Sequence, residues 1–97
     1  MRKFGKIDDN QKEIVKSLRS MGATVESLAP MGKGVPDLLV GYQGKTILME
    51  VKDSKKPPSA RALTEDQLKW HGAWNGGTLC VVSDIDSALR AISINKD

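Results

Sequence analysis

Ninety-seven residues, 39% hydrophobic and 28% charged, read as one soluble globular domain of residues 1–97. A net charge of +3, from 15 Lys and Arg against 12 Asp and Glu, permits a nucleic-acid partner without demanding one. The single Cys80 excludes an internal disulfide and a cysteine-based zinc site, and no apolar run approaches the roughly 20 residues that span a bilayer.

The N-terminal Met1-Arg2-Lys3-Phe4-Gly5-Lys6 lacks the apolar stretch of a signal peptide, so the cytoplasm is the expected location. A chain this short buries only about 60–65% of the surface its unfolded form exposes. With four aromatic residues its core must be aliphatic, and a second copy would supply missing burial.

Residues 8 to 21 carry Ile14, Val15, Leu18 and Met21 on one helical stripe, with Asp8 and Asp9 at the start and Gly22 after the end. A strand is expected over 23 to 28. Ala29 to Pro36, broken by Pro30, Gly32, Gly34 and Pro36, reads as a loop. Leu38–Tyr42 and Thr46–Lys52 then form two strands around a tight turn at Gln43-Gly44-Lys45. Alternation along the second strand puts Ile47, Met49 and Val51 on one face and Leu48, Glu50 and Lys52 on the other. Residues 53 to 63, with Lys55, Lys56, Pro57, Pro58 and Arg61, read as a basic mobile loop. Thr64 opens a helix to about Trp74, ended by Gly76-Gly77. Residues 78 to 82 are a buried strand that includes Cys80 as a core thiol. Ser83 caps a last helix with Ile85, Leu89 and Ile92 on one face. This order gives an α/β sandwich around a mixed sheet.

Asp37 opens the first strand of the hairpin, and Glu50 and Lys52 close the second, so an antiparallel pairing makes them neighbours. Two adjacent carboxylates repel each other, and a hard divalent cation is the usual remedy. The carbonyl of Val51 offers a third oxygen. A cation so held polarises a phosphodiester and acidifies water, and Lys52 can orient that water or stabilise the growing charge. Taken alone, a charged pair two apart on a strand is commonly a solvated face. The apolar character of the strand and the Pro36-Asp37 step at the other end favour chemistry.

Gly34-Val35-Pro36-Asp37-Leu38-Leu39-Val40, Met49-Glu50-Val51-Lys52 and Leu63-Thr64-Glu65-Asp66-Gln67 together resemble the VRR-NUC (virus-type replication-repair nuclease) family of the PD-(D/E)XK superfamily. The likeness spans about residues 8 to 83 and takes in Gln11 and Glu13, similar to the family's early helix motif. Compact stand-alone members occur in bacteriophages. The resemblance implies a restriction-endonuclease-like α/β/α fold with a central mixed sheet, and Mg²⁺- or Mn²⁺-dependent DNA hydrolysis. It implies that Asp37 and Glu50 bind metal, that Glu13 completes the acidic site, that Lys52 is catalytic and that Gln67 supports the site. Its association with junction resolution implies branched DNA, such as a four-way junction, cut by a homodimer.

Two of these roles have structural rivals. Glu13 in a first helical turn is favoured by the helix dipole alone. Thr64-Glu65-Asp66-Gln67 is also a capping box, which would occupy the Gln67 amide. His71, the lone histidine, reads as structural rather than as a zinc ligand. Trp70 and Trp74, four apart, read as core or dimer packing before base stacking. Lys33, Lys55, Lys56 and Arg61 lie in loops bordering the site, as solvated charge or as phosphate contacts. A catalytically idle DNA-binding module on the same fold is the competing function, although clustered carboxylates beside phosphate would weaken such a binder. A small ribosome- or RNA-associated protein is a third.

Overall fold

The computed structural model describes residues 9–93. Four strands lie side by side: β1 (Thr24–Ser27), β2 (Leu38–Tyr42), β3 (Lys45–Val51) and β4 (Thr78–Val82). The first three are antiparallel neighbours, and β4 runs parallel to β3. A parallel neighbour requires a long crossover, here made by the short helix α2 (Pro58–Arg61) and by α3 (Glu65–Ala73). Helices α1 (Gln11–Ser20) and α4 (Ile85–Ser93) cover one face of the sheet. There Ile14, Leu18, Ala88 and Ile92 pack with Val25, Leu38, Val40, Ile47, Met49, Val51 and Val82. Helix α3 stands on the other face, where the side chains of Glu50 and Lys52 meet it. The fold is α/β, a mixed sheet between helices. No helix among the described residues is long and apolar enough to cross a membrane.

The predicted elements recur with local differences. Met21 leaves the apolar stripe and is exposed, because α1 ends before it. Gly22, at φ +99°, and Ala23 donate to the carbonyls of Arg19 and Leu18, closing a Schellman turn. Asp8 lies outside the described residues. The loop after β1 contains a 3₁₀ turn at Ala29–Met31. The hairpin turn is shorter than expected: Gln43 and Gly44 both take positive φ, 49° and 81°, and Lys45 already pairs with Tyr42. Two consecutive left-handed residues make the tight turn whose twist matches antiparallel strands. The segment 53 to 63, expected to be an irregular mobile loop, contains α2, and the guanidinium of Arg61 donates to the Lys56 carbonyl at 2.8 Å. Cys80 is only half-buried, though burial still raises its pKa.

The cap of α4 is Asp84 rather than Ser83. Its carboxylate accepts from the Ser87 amide at 2.8 Å, and the Ser87 hydroxyl accepts from the Asp84 amide at 3.1 Å. These bonds hold the Asp84 carboxyl below its ordinary value of 3.8. A carboxylate with a lowered folded pKa adds stability above its unfolded pKa and loses it as the pH falls through the folded one. Asp84→Ala is therefore expected to lower Tm at pH 7, with a gap to wild type that narrows below pH 3.8 in thermal melts across pH.

Candidate active site

The β2–β3 register pairs Leu38 with Met49, which sets Asp37 opposite Glu50 one step beyond. Asp37 is nearly buried, and its Oδ2 accepts from the Val51 amide at 2.8 Å. A side-chain oxygen thus continues the ladder where the strand backbone of β2 stops, and this fixes the carboxylate's direction. Glu50 and Lys52, two residues apart on one face of β3, are 2% and 8% exposed. Such burial of charged groups is tolerated only with partners. Lys52 is anchored through its backbone as well: its amide donates to the Val82 carbonyl, and its carbonyl accepts from the Asn10 amide group, which also reaches Ser83. Asn10 thereby ties the start of α1 to the ends of β3 and β4.

Gln67 joins the cluster from α3. Its amide nitrogen donates to Glu50 Oε2 at 3.0 Å, and its oxygen accepts from Lys52 Nζ at 2.9 Å and from the Thr64 amide at 2.9 Å. Two donors on one end and a carboxylate on the other leave a single sensible orientation of this side chain. The capping box and the site do not compete, because an amide oxygen has two lone pairs and the nitrogen is spare. Lys52 and Glu50, 3.9 Å apart, are too far apart for a direct hydrogen bond. Gln67 bridges them.

The loop before β2 approaches the start of helix α3 closely. Gly34, at φ +85°, lies so close to α3 that a Cβ there would overlap the Asp66 carbonyl and sit 3.0 Å from the Gln67 amide nitrogen. Only glycine meets both the backbone angle and the clearance.

Asp37, Glu50, Lys52 and Gln67 line one cavity of about 460 Å³, with Lys33 and Lys56 on its wall. Lys55 and Arg61 do not line it. Glu13 does not either. It is exposed on α1 and lines a separate cavity of about 620 Å³ with Asp9, Asp53, Lys55, Asp84 and Asp86, because α1 packs on the opposite face of the sheet from the Glu50 side chain. Only Lys56 is common to both. Among the described residues no three His, Cys, Asp or Glu side chains gather into a group able to hold a metal ion. Two carboxylates still suit Mg²⁺, which keeps much of its water and takes one or two carboxylates with substrate phosphate rather than a complete protein cage.

Sequence reasoning passed over two residues here. Asn10 carried no signal beyond its place at a helix start. His71 did, since it follows Gln67 by one helical turn and so shares its face. Its Nε2 lies 3.8 Å from Glu50 Oε1. Burial, and then the nearby Lys52 charge, lower its pKa from the ordinary 6.5. The two tryptophans, expected in core or dimer packing, stack on each other outside the core, with ring centroids 5.1 Å apart, Trp70 partly buried and Trp74 40% exposed.

No family model matches the chain, and no curated protein does. Among solved structures it is similar to a VRR_NUC domain, at 29% identity and a TM-score of 0.62, over 84% of this chain and 88% of that one. The strand order, the flanking helices and this likeness agree: the chain has the fold of the VRR-NUC family, a restriction-endonuclease-like mixed sheet between helices.

Proposed function

We propose that the chain, with residues 1–97 acting as one domain, is a metal-dependent endonuclease of the PD-(D/E)XK type that hydrolyses branched DNA, such as four-way junctions. The observation that carries this reading is the meeting of two buried carboxylates and Lys52 around Gln67 in one open cavity. A binding module gains nothing from acids placed where phosphate must come. In the proposed mechanism Asp37 and Glu50, with the Val51 carbonyl, would hold Mg²⁺ or Mn²⁺. When bound, such an ion stabilises the charge that develops on the phosphodiester. Asp37 is kept in place by the Val51 amide, and Glu50 by Gln67. The Lys52 ammonium, aimed by the Gln67 oxygen, orients the attacking water and shares the charge of the transition state. Lys33 and Lys56, on the cavity wall, receive the DNA backbone, and Lys55 and Arg61, outside the cavity, are further candidates for phosphate contact. Glu13 lies outside this working set.

A branched substrate and a homodimer are supported by the family resemblance and by symmetry. One domain offers one such cavity, and two matched cuts need two. A cytoplasmic enzyme, in a bacterial host if phage-encoded, fits the same reading.

The test is cleavage of an end-labelled four-way junction beside its linear arms, with Mg²⁺ or Mn²⁺, by wild type and Glu50→Gln. Cutting of the junction alone, dependent on metal and absent in the variant, is expected. Equal cutting of every substrate would remove the branch preference. DNA binding without cutting under any metal would replace the enzyme by the idle module.

A further inference from the structure

We infer that His71 is a positioning residue for Glu50, acting as an Nε2–H donor to Oε1 of that carboxylate; the inference rests on the nuclease reading above. Helix α3 presents two groups one turn apart to the two oxygens of one side chain. Gln67 takes Oε2 at 3.0 Å, and His71 Nε2 lies 3.8 Å from Oε1. A bond at each oxygen restricts rotation of a carboxylate about its last torsion, which is otherwise broad in Glu. Held at both, it presents a fixed plane to the cavity.

The environment of the ring supports this role. Among the described residues His71 Nε2 is buried with no hydrogen-bond partner, a state that costs free energy and calls for an explanation such as a functional role. A neutral imidazole carries one N–H and a protonated one two, and in either state Nε2, the nitrogen that faces the carboxylate oxygen, can be the donor. The present separation of 3.8 Å exceeds a hydrogen bond, so the contact has to shorten for the bond to form. Packing alone would be served as well by an apolar ring. A donor is needed only if Glu50 must be oriented while its remaining lone pairs take a cation. Loss of such an outer hydrogen bond weakens metal binding by about 10- to 100-fold in comparable sites.

Two measurements test this. The chain has one histidine, so imidazole nitrogen shifts of the metal-free protein report His71 alone, and the Nε2–H tautomer is expected. Calorimetric titration with Mn²⁺ then compares wild type, His71→Phe, His71→Gln and Asp37→Ala. His71→Phe is expected to weaken Mn²⁺ binding by about tenfold or more without lowering the Tm of the metal-free protein. His71→Gln, which keeps an N–H near the same place, is expected to recover most of the loss. An Nδ1–H tautomer, unchanged binding in His71→Phe, or no recovery in His71→Gln overturns the inference and leaves the nuclease reading standing. Wild type that binds no Mn²⁺, or binds it no better than Asp37→Ala, overturns both. The tautomer requires no variant, so it decides even if His71→Phe fails to fold.

Discussion

Lys52→Met is expected to slow DNA cleavage by about a hundred- to a thousandfold, the usual loss when one aimed donor is taken from a developing oxyanion. Methionine keeps most of the stem and its packing, so the change isolates the ammonium. Stability should fall less sharply than loss of a tight buried ion pair would imply. The Lys52–Glu50 separation of 3.9 Å is long, and Gln67 keeps its bond to Glu50 Oε2 and its cap on Thr64 when the lysine charge is gone. The cost is then that of one lost buried hydrogen bond beside a carboxylate, about 1–3 kcal/mol, and Mn²⁺ should offset part of it by binding the folded state. Single-turnover cleavage and thermal melts with and without Mn²⁺ check both halves. Wild-type cleavage by Lys52→Met would remove the lysine from the mechanism.

Gly34→Ala should do its damage through helix α3. The residue would have to hold φ +85°, which costs an L-amino acid roughly 1–2 kcal/mol. Its methyl group would collide with the Asp66 carbonyl, and relieving such overpacking costs about 1–3 kcal/mol more. Backbone offers no flexible end to swing aside, so α3 must shift and carry Gln67 away from Lys52 and Glu50. Both the melting temperature and the cleavage rate are expected to drop. Amide exchange is expected to quicken in residues 65–73 before it does so in β2 and β3. A variant that melts and cuts like wild type would show that the loop and the helix are not coupled.

What the sequence made legible follows from how local each feature is. The hairpin carrying Asp37, Glu50 and Lys52 could be read because strand alternation and a two-residue turn fix relative positions within fifteen residues. Its turn was misjudged by one residue because Lys45 looks like turn composition while its backbone already pairs with Tyr42. Glu13 shows the opposite limit. Its helix was correctly expected, yet which face of the sheet that helix would cover depends on contacts with α4 that no local pattern states. Gln67 was read as a choice between two roles because sequence names a side chain but not its two ends. His71 was set aside as a lone histidine, a judgement about composition, when its spacing from Gln67 was the better guide. Ser83 and Asp84 are adjacent cap formers, and only the hydrogen bonds of Ser87 decide between them.

The contacts that build the cavity differ widely in how far apart along the chain their partners lie. The bond from the Val51 amide to Asp37 spans 14 residues, whereas Asn10, which steadies the Lys52 backbone, reaches 73 residues to Ser83. Closing the longer loop costs about 1.5 kcal/mol more in chain entropy. The backbone pairing that brings the two carboxylates together is therefore local to one hairpin. The bonds that aim Glu50 and Lys52, by contrast, depend on the crossover that carries Gln67 and on the docking of Asn10 against Ser83. On the nuclease reading, partial opening of the crossover is expected to cost activity before it separates the two acids.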